Sequence, residues 1–153
     1  LCMVLLDKIA DPGNMGTILR TCWAFGIDGV LLTKGCVDVF NPKVIRASMG
    51  GVFNLPVLVD ITNSDLKKLA EKGYIFLGAS PYADTDIYDI DFKRPVILVI
   101  GSEAKGLSKA IEKLCENFFK IPINAAVDSL NAATACAIMT YELYKQRGNI
   151  SSL

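Results

Sequence analysis

The sequence predicts an α/β domain built on a mostly parallel sheet flanked by helices, and three observations carry that expectation. Short β-rich runs alternate with helical segments along the chain. Several of those runs are almost continuously apolar, as expected for strands covered on both faces. No repeat, low-complexity stretch or linker divides the 153 residues, a length that suits one core and one domain over 1–153.

Cys2–Leu6 opens the sheet. Asn14 suits the N-cap of a helix over Met15–Phe25, and Gly26 suits the residue just past its end. Met15, Ile18, Leu19, Cys22 and Phe25 form one apolar stripe on that helix. Arg20 falls away from the stripe, one turn above Gly16. Gly29–Leu32 and Pro56–Val59 read as the next strands, with a short helix over Pro42–Ala47 between them. A helix over Ser64–Lys72 leads into a strand at Tyr74–Leu77. Pro81–Arg94, rich in Asp and Tyr, reads as an exposed loop. Val96–Ile100 is the strongest strand, followed by a helix over Lys109–Leu114 and a weaker strand at Phe118–Ile121. A long last helix runs from about Ser129 to Arg147. From Leu130 to Met139 it is apolar on almost every side, which predicts burial against the sheet or another subunit.

Composition removes several chemistries. Hydrophobic residues make up 52% and charged residues 21%, the balance of a folded chain rather than a disordered one. The sequence holds no histidine, which excludes His-based triads, His-ligated zinc and imidazole bases. Sixteen basic residues offset sixteen acidic ones, so affinity for nucleic acid must come from a local patch, a partner subunit or a further domain. Cysteines stand at 2, 22, 36, 115 and 136 without a C-x-x-C pair, a pattern that predicts buried thiols in a reducing compartment, hence the cytoplasm. The apolar runs are too short to cross a bilayer, and no basic leader precedes Leu1–Leu6.

Three strand-to-helix loops could carry chemistry, because ligands of open α/β sheets bind at the carboxyl ends of strands. The first is Asp11-Pro12-Gly13-Asn14-Met15-Gly16, followed by Arg20: either a Pro-Gly turn with a solvated arginine, or a guanidinium placed to meet an RNA phosphate or a nucleophile. The second is Gly101-Ser102-Glu103-Ala104-Lys105-Gly106-Leu107-Ser108. Leu107 stands where a nucleotide-binding P-loop needs lysine, which argues against a nucleoside triphosphate. Its glycines would let backbone amides approach a small ligand, and Glu103 is either a solvated carboxylate or part of a site. The third runs from Ile121-Pro122-Ile123 to Asp128-Ser129-Leu130-Asn131. Asp128 or Ser129 could cap the last helix, while Asn131 needs partners if buried, either in the core or on a ligand.

Taken together, these segments resemble the three motifs of the SpoU (TrmH-like) branch of the SPOUT RNA methyltransferases. Asn14-x-Gly16-x-x-x-Arg20 resembles the first motif, and Val99-Ile100-Gly101-Ser102-Glu103-x-x-Gly106-Leu107-Ser108 the second. Ile121-Pro122-Ile123 with Asp128-Ser129-Leu130-Asn131 resembles the third, and Asn41–Gly50 is similar to the family's second strand–loop region. The motifs stand in the family's order and span nearly the whole chain; Ala104-Lys105 depart from it where glycine often follows the glutamate.

The resemblance implies a deep C-terminal trefoil knot, which general topology rules would not predict, and a homodimer packed through the last helix. It implies transfer of a methyl group from S-adenosylmethionine to a ribose 2′-hydroxyl of RNA, ribosomal RNA in preference to transfer RNA, with no metal. Ala79, Gly101, Ile121 and Leu130 would line the cofactor pocket. Arg20 would act on the hydroxyl or anchor a phosphate, with Glu103, Asn131 and Asn14 positioning it or the ribose. Many relatives with such a first motif carry an N-terminal substrate-binding domain, which has no counterpart in these residues. The competing readings are a non-catalytic RNA- or nucleotide-binding module of the same fold, and an unknotted dinucleotide- or flavin-binding domain. The missing G-x-G-x-x-G fingerprint argues against the latter.

Overall fold

The computed structural model describes residues 1–148. Six strands form one sheet: β1 (Cys2–Asp7), β2 (Gly29–Leu32), β3 (Val57–Leu58), β4 (Ile75–Ala79), β5 (Val96–Gly101) and β6 (Asn117–Phe119). Their order is β3-β2-β1-β5-β4-β6, and all five pairings are parallel. Every strand therefore ends at the same edge. Successive side chains point to opposite faces, and the apolar runs feed both. Val4, Leu6, Val30, Leu32, Leu98 and Ile100 join the larger core, while Leu5, Leu31, Phe76, Ile97 and Val99 join a second core on the other face.

The helices are α1 (Pro12–Ala24), α2 (Pro42–Ser48), α3 (Gly51–Asn54), α4 (Asn63–Glu71), α5 (Lys109–Glu112) and α6 (Ala132–Gln146). Met15, Ile18, Leu19 and Cys22 of α1 and Cys136, Met139 and Leu143 of α6 belong to the larger core. Leu66 of α4 and Ile111 of α5 close the second. On α1, Gly16 permits a close helix crossing: a Cβ there would lie 2.5 Å from the Ala47 Cβ and 2.7 Å from the Val44 carbonyl oxygen of α2.

Three sequence-based expectations need correction. Asp11, not Asn14, caps α1: Pro12 takes the first helical position, and the Asp11 carboxylate accepts from the Asn14 N–H at 2.7 Å. The last helix starts at Ala132, and its cap is Asn131 rather than Asp128 or Ser129. Within the single chain Ile138 of that helix is 38% exposed, so the sheet alone does not bury every side of it. The Pro81–Arg94 segment is more than an exposed loop. It contains a 3-10 turn at Ile87–Asp89 and buries Ile87 and Phe92 completely, with Phe92 edge-on to Phe119. Helix α3, four residues long, gave no periodic signal in the sequence.

Candidate functional site

The strand order reverses direction between β1 and β5, and their carboxyl ends lie side by side with Asp7 paired to Gly101. Such a switch point opens a crevice, because the chain leaves the two strands in opposite directions. Asn14 enters this crevice from the first turn of α1, Glu103 from the loop after β5, and Asn131 from the cap of α6. Glu103 Oε1 accepts from Asn14 Nδ2 at 3.0 Å, Asn131 Nδ2 at 3.2 Å and the Ala132 N–H at 3.1 Å. Asn131 Nδ2 also donates to Asn14 Oδ1 at 3.0 Å. Asn131 Oδ1 accepts from the Ala133 and Thr134 N–H groups, closing the N-terminus of α6.

The electrostatics of this cluster are coherent. Three donors converge on one carboxylate oxygen, and the N-terminal end of a 15-residue helix adds its positive dipole end to the same place. Glu103 Oε2 carries no hydrogen bond among the described residues, so one oxygen stays available for a ligand. Asn14 and Asn131 have fixed amide orientations here, because each bonds a group that only accepts or only donates. An open groove of about 490 Å³ borders the cluster, lined by Asn14, Thr17, Ala47, Asn131, Thr134 and Ala137 among others.

Arg20 is not brought to this cluster within its own chain. Six residues along α1 carry it about 9 Å from Asn14 and roughly two-thirds of a turn around the helix. It is exposed and makes no hydrogen bond or ion pair among the described residues, and its backbone lies against Gly51 of α3. The four residues expected at the cofactor, Ala79, Gly101, Ile121 and Leu130, are each half-buried at or just beyond the carboxyl edge. Gly101 also has a packing role. Its close approach is to its own loop, since a Cβ would lie 2.5 Å from the Gly106 carbonyl oxygen. The Gly106 N–H returns to the Ser102 carbonyl at 2.8 Å, and this tight turn is what presents Glu103.

Sequence reasoning passed over Asp7, which is 1% exposed. Its carboxylate accepts from the Ser108 N–H at 2.7 Å and from Thr33 Oγ1 at 3.0 Å, tying the loops after β5 and β2 to the end of β1. The signal was available: a lone carboxylate closing the apolar run Val4-Leu5-Leu6 must find donors when buried.

The fold and site together define an α/β protein whose polar crevice opens at the switch point of a parallel sheet. The chain belongs to the SpoU rRNA Methylase family, whose model matches residues 2–141. It is 39% identical over 145 residues to an uncharacterised tRNA/rRNA methyltransferase of Synechocystis, covering 94% of this chain and 53% of that protein. It is 35% identical over 150 residues to the 23S rRNA (uridine(2479)-2'-O)-methyltransferase of Streptomyces viridochromogenes, covering 94% and 52%. The crystal structure of the SpoU methyltransferase AviRb from that organism, in complex with AdoMet, superposes with a TM-score of 0.90 at 34% identity, covering 96% of this chain and 60% of that one. The chain thus spans between half and two-thirds of the length of these relatives.

Proposed function

We propose that this chain is the catalytic domain of an S-adenosylmethionine-dependent RNA 2′-O-methyltransferase acting on ribosomal RNA. The observation that carries the reading is the Asn14–Glu103–Asn131 cluster, a fixed polar constellation with a free carboxylate oxygen, in a chain of the SpoU family. The residues at the carboxyl ends of β4, β5 and β6 suit the cofactor. Ile121 and Leu130 offer apolar walls, and between them only Ala126 and Val127 donate backbone hydrogen bonds among the described residues. An adenine edge is read by such free backbone groups between apolar side chains.

Bound there, S-adenosylmethionine supplies an activated methyl group on a sulfonium. The protein's task is to align a ribose hydroxyl in line with it and to manage the departing proton. Glu103 Oε2 is the open acceptor for that hydroxyl or for a guanidinium that holds it. The guanidinium of Arg20 stays charged far above neutral pH, so it anchors a phosphate or stabilises the developing oxyanion rather than serving as a base. Arg20 meets this cluster if a second copy covers the exposed apolar side chains of α1, α3 and α6, which include Trp23, Phe53, Ile138 and Tyr141. The reading therefore includes a homodimer. It also includes the trefoil knot, supported by the route of the chain: β5 enters between β1 and β4, β6 passes beyond β4, and α6 then returns to α1. The unbridged cysteines fit a reducing compartment such as the cytoplasm, and among the described residues no helix is long and apolar enough to cross a membrane.

Calorimetric titration with S-adenosylmethionine and S-adenosylhomocysteine tests the site, with saturable binding of both expected. Mixing Arg20→Ala and Glu103→Gln chains tests the dimer. If Arg20 serves its partner's site, half the dimers regain one of two sites, and activity returns to about a quarter of the parent's. No recovery would mean that Arg20 does not serve the partner's site.

A further inference from the structure

We propose that Lys8, with Lys34 beside it, is an RNA-phosphate anchor flanking the crevice; the inference rests on the reading of the chain as an RNA methyltransferase. Among the described residues three non-glycine positions have positive φ: Lys8, Met49 and Asp60. Met49 ends helix α2, and aspartate tolerates the left-handed region. Lys8, at φ 56°, has neither excuse. Glycine or asparagine would occupy its place at less conformational cost, and strained residues cluster where function requires the side chain.

The surrounding structure holds that conformation firmly. The Thr33 N–H donates to the Leu6 carbonyl at 3.1 Å, the Lys8 N–H to Thr33 Oγ1 at 3.0 Å, and the Val37 N–H to the Ile9 carbonyl at 2.9 Å. The loops after β1 and β2 are thereby laced together. The Lys8 Cγ lies over Gly35, 3.4 Å from where a Cβ would stand, so the aliphatic stem rests on the loop that carries Lys34. Both lysines are exposed, and neither ammonium has an ion-pair partner among the described residues. The acids of the same loops keep their charges but are held by other groups and make no ion pair with either lysine: Asp7 faces inward to Thr33 and Ser108, Asp11 caps α1, and Asp38 accepts from the Phe40 N–H. Lys8 follows directly on the Asp7–Gly101 pair, two residues before Glu103 on the neighbouring strand's loop. In a chain of zero net charge, a local pair of cations is one way to hold a polyanion against the site.

The test measures binding of the full-length protein to a short fluorescein-labelled single-stranded RNA of mixed sequence, from about 50 to 200 mM salt. Lys8→Gly and Lys8→Asn keep the backbone conformation and remove the charge; Lys8→Arg keeps the charge. The expected result is a loss of about three- to tenfold in affinity for the first two, with the log–log salt slope shallower by about 0.7, and little change for Lys8→Arg. Thermal midpoints of Lys8→Gly and Lys8→Asn should hold or rise. Unchanged RNA affinity in Lys8→Gly overturns the proposal, as does an equal loss in Lys8→Arg. S-adenosylmethionine affinity, measured in parallel, should not move in any Lys8 variant. A parent protein that fails to bind it at all sinks the methyltransferase reading, whereas the RNA data decide Lys8 on their own.

Discussion

Substituting Gly16 with alanine puts a number on the α1–α2 crossing. The added methyl would stand 2.5 Å from the Ala47 Cβ, 2.7 Å from the Val44 carbonyl oxygen and 3.0 Å from the Ser48 N–H nitrogen. Carbon atoms settle about 3.5–4.0 Å apart, so the two helices must separate by roughly 1 Å. Overpacking costs about 1–3 kcal/mol, and a clash with backbone atoms, which cannot swing aside, takes the upper part of that range, about 2–3 kcal/mol. Against it stands the gain of about 1 kcal/mol from replacing a helical glycine with alanine. The net expectation is a loss of about 1–2 kcal/mol, or a fall of roughly 2–8 °C in Tm for a chain of this size. Urea denaturation followed by circular dichroism measures it directly. Adding Ala47→Gly should not restore the parent's stability, because the Val44 carbonyl remains in the way and a glycine in α2 costs about 1 kcal/mol of its own. Equal or greater stability in Gly16→Ala would show that the helices part freely. The glycine of the first motif would then owe its place to a ligand and not to packing.

Asp7→Ala leaves the Ser108 N–H and Thr33 Oγ1 without their acceptor and should cost about 2–4 kcal/mol, against about 1 for Thr33→Val; a cost for Asp7→Ala no larger than for Thr33→Val in denaturant titrations would contradict the tie between the three loops. Asn131→Ala removes the cap of α6, costing about 1 kcal/mol, and frees Glu103; methyl transfer should fall on the order of a hundredfold while cofactor affinity falls much less. Cys115 has its thiol pushed up to about 12, chiefly by burial and further by the charges of Glu112 and Asp7. Its alkylation by iodoacetamide in the native protein should be slow at pH 8 and accelerate with each pH unit toward that value, where a freely exposed thiol would already have levelled off. Because the folded value is raised, the stability this thiol contributes is complete below the ordinary thiol range and is lost as pH rises through about 12; a denaturation midpoint with the same alkaline slope in Cys115→Ala contradicts that assignment.

The sheet was legible because its strands are short apolar runs separated by helical patterns, and parallel strands buried on both faces have no other appearance. The ends of elements were harder. Asn14 and Asp11 are both good caps, and only the proline after Asp11 favours the one the fold uses. Asn131 was passed over as a cap because Asp128 and Ser129 precede it, although it does both jobs at once: its Oδ1 closes the helix and its Nδ2 reaches Asn14 and Glu103. Ile87 and Phe92 were hidden in a stretch whose Asp and Tyr content suggested solvent, and nothing local shows that β6 and α6 come to cover them. Three of the four residues expected to carry the chemistry meet in one cluster. Arg20 does not, because a helix fixes it on another face, a fact that spacing along the motif shows only once the partners' positions are known.

The cluster also sets an order on the protein's synthesis. Its hydrogen bonds join residues 89 and 117 positions apart, Asn14 to Glu103 and Asn14 to Asn131. The carboxylate has no complete set of donors until α6 has been made and docked. A chain emerging residue by residue therefore cannot display a finished crevice before its core is nearly closed, and a chain cut short before Asn131 has none to display. Contacts this distant form slowly, so the finished crevice arrives late and all at once.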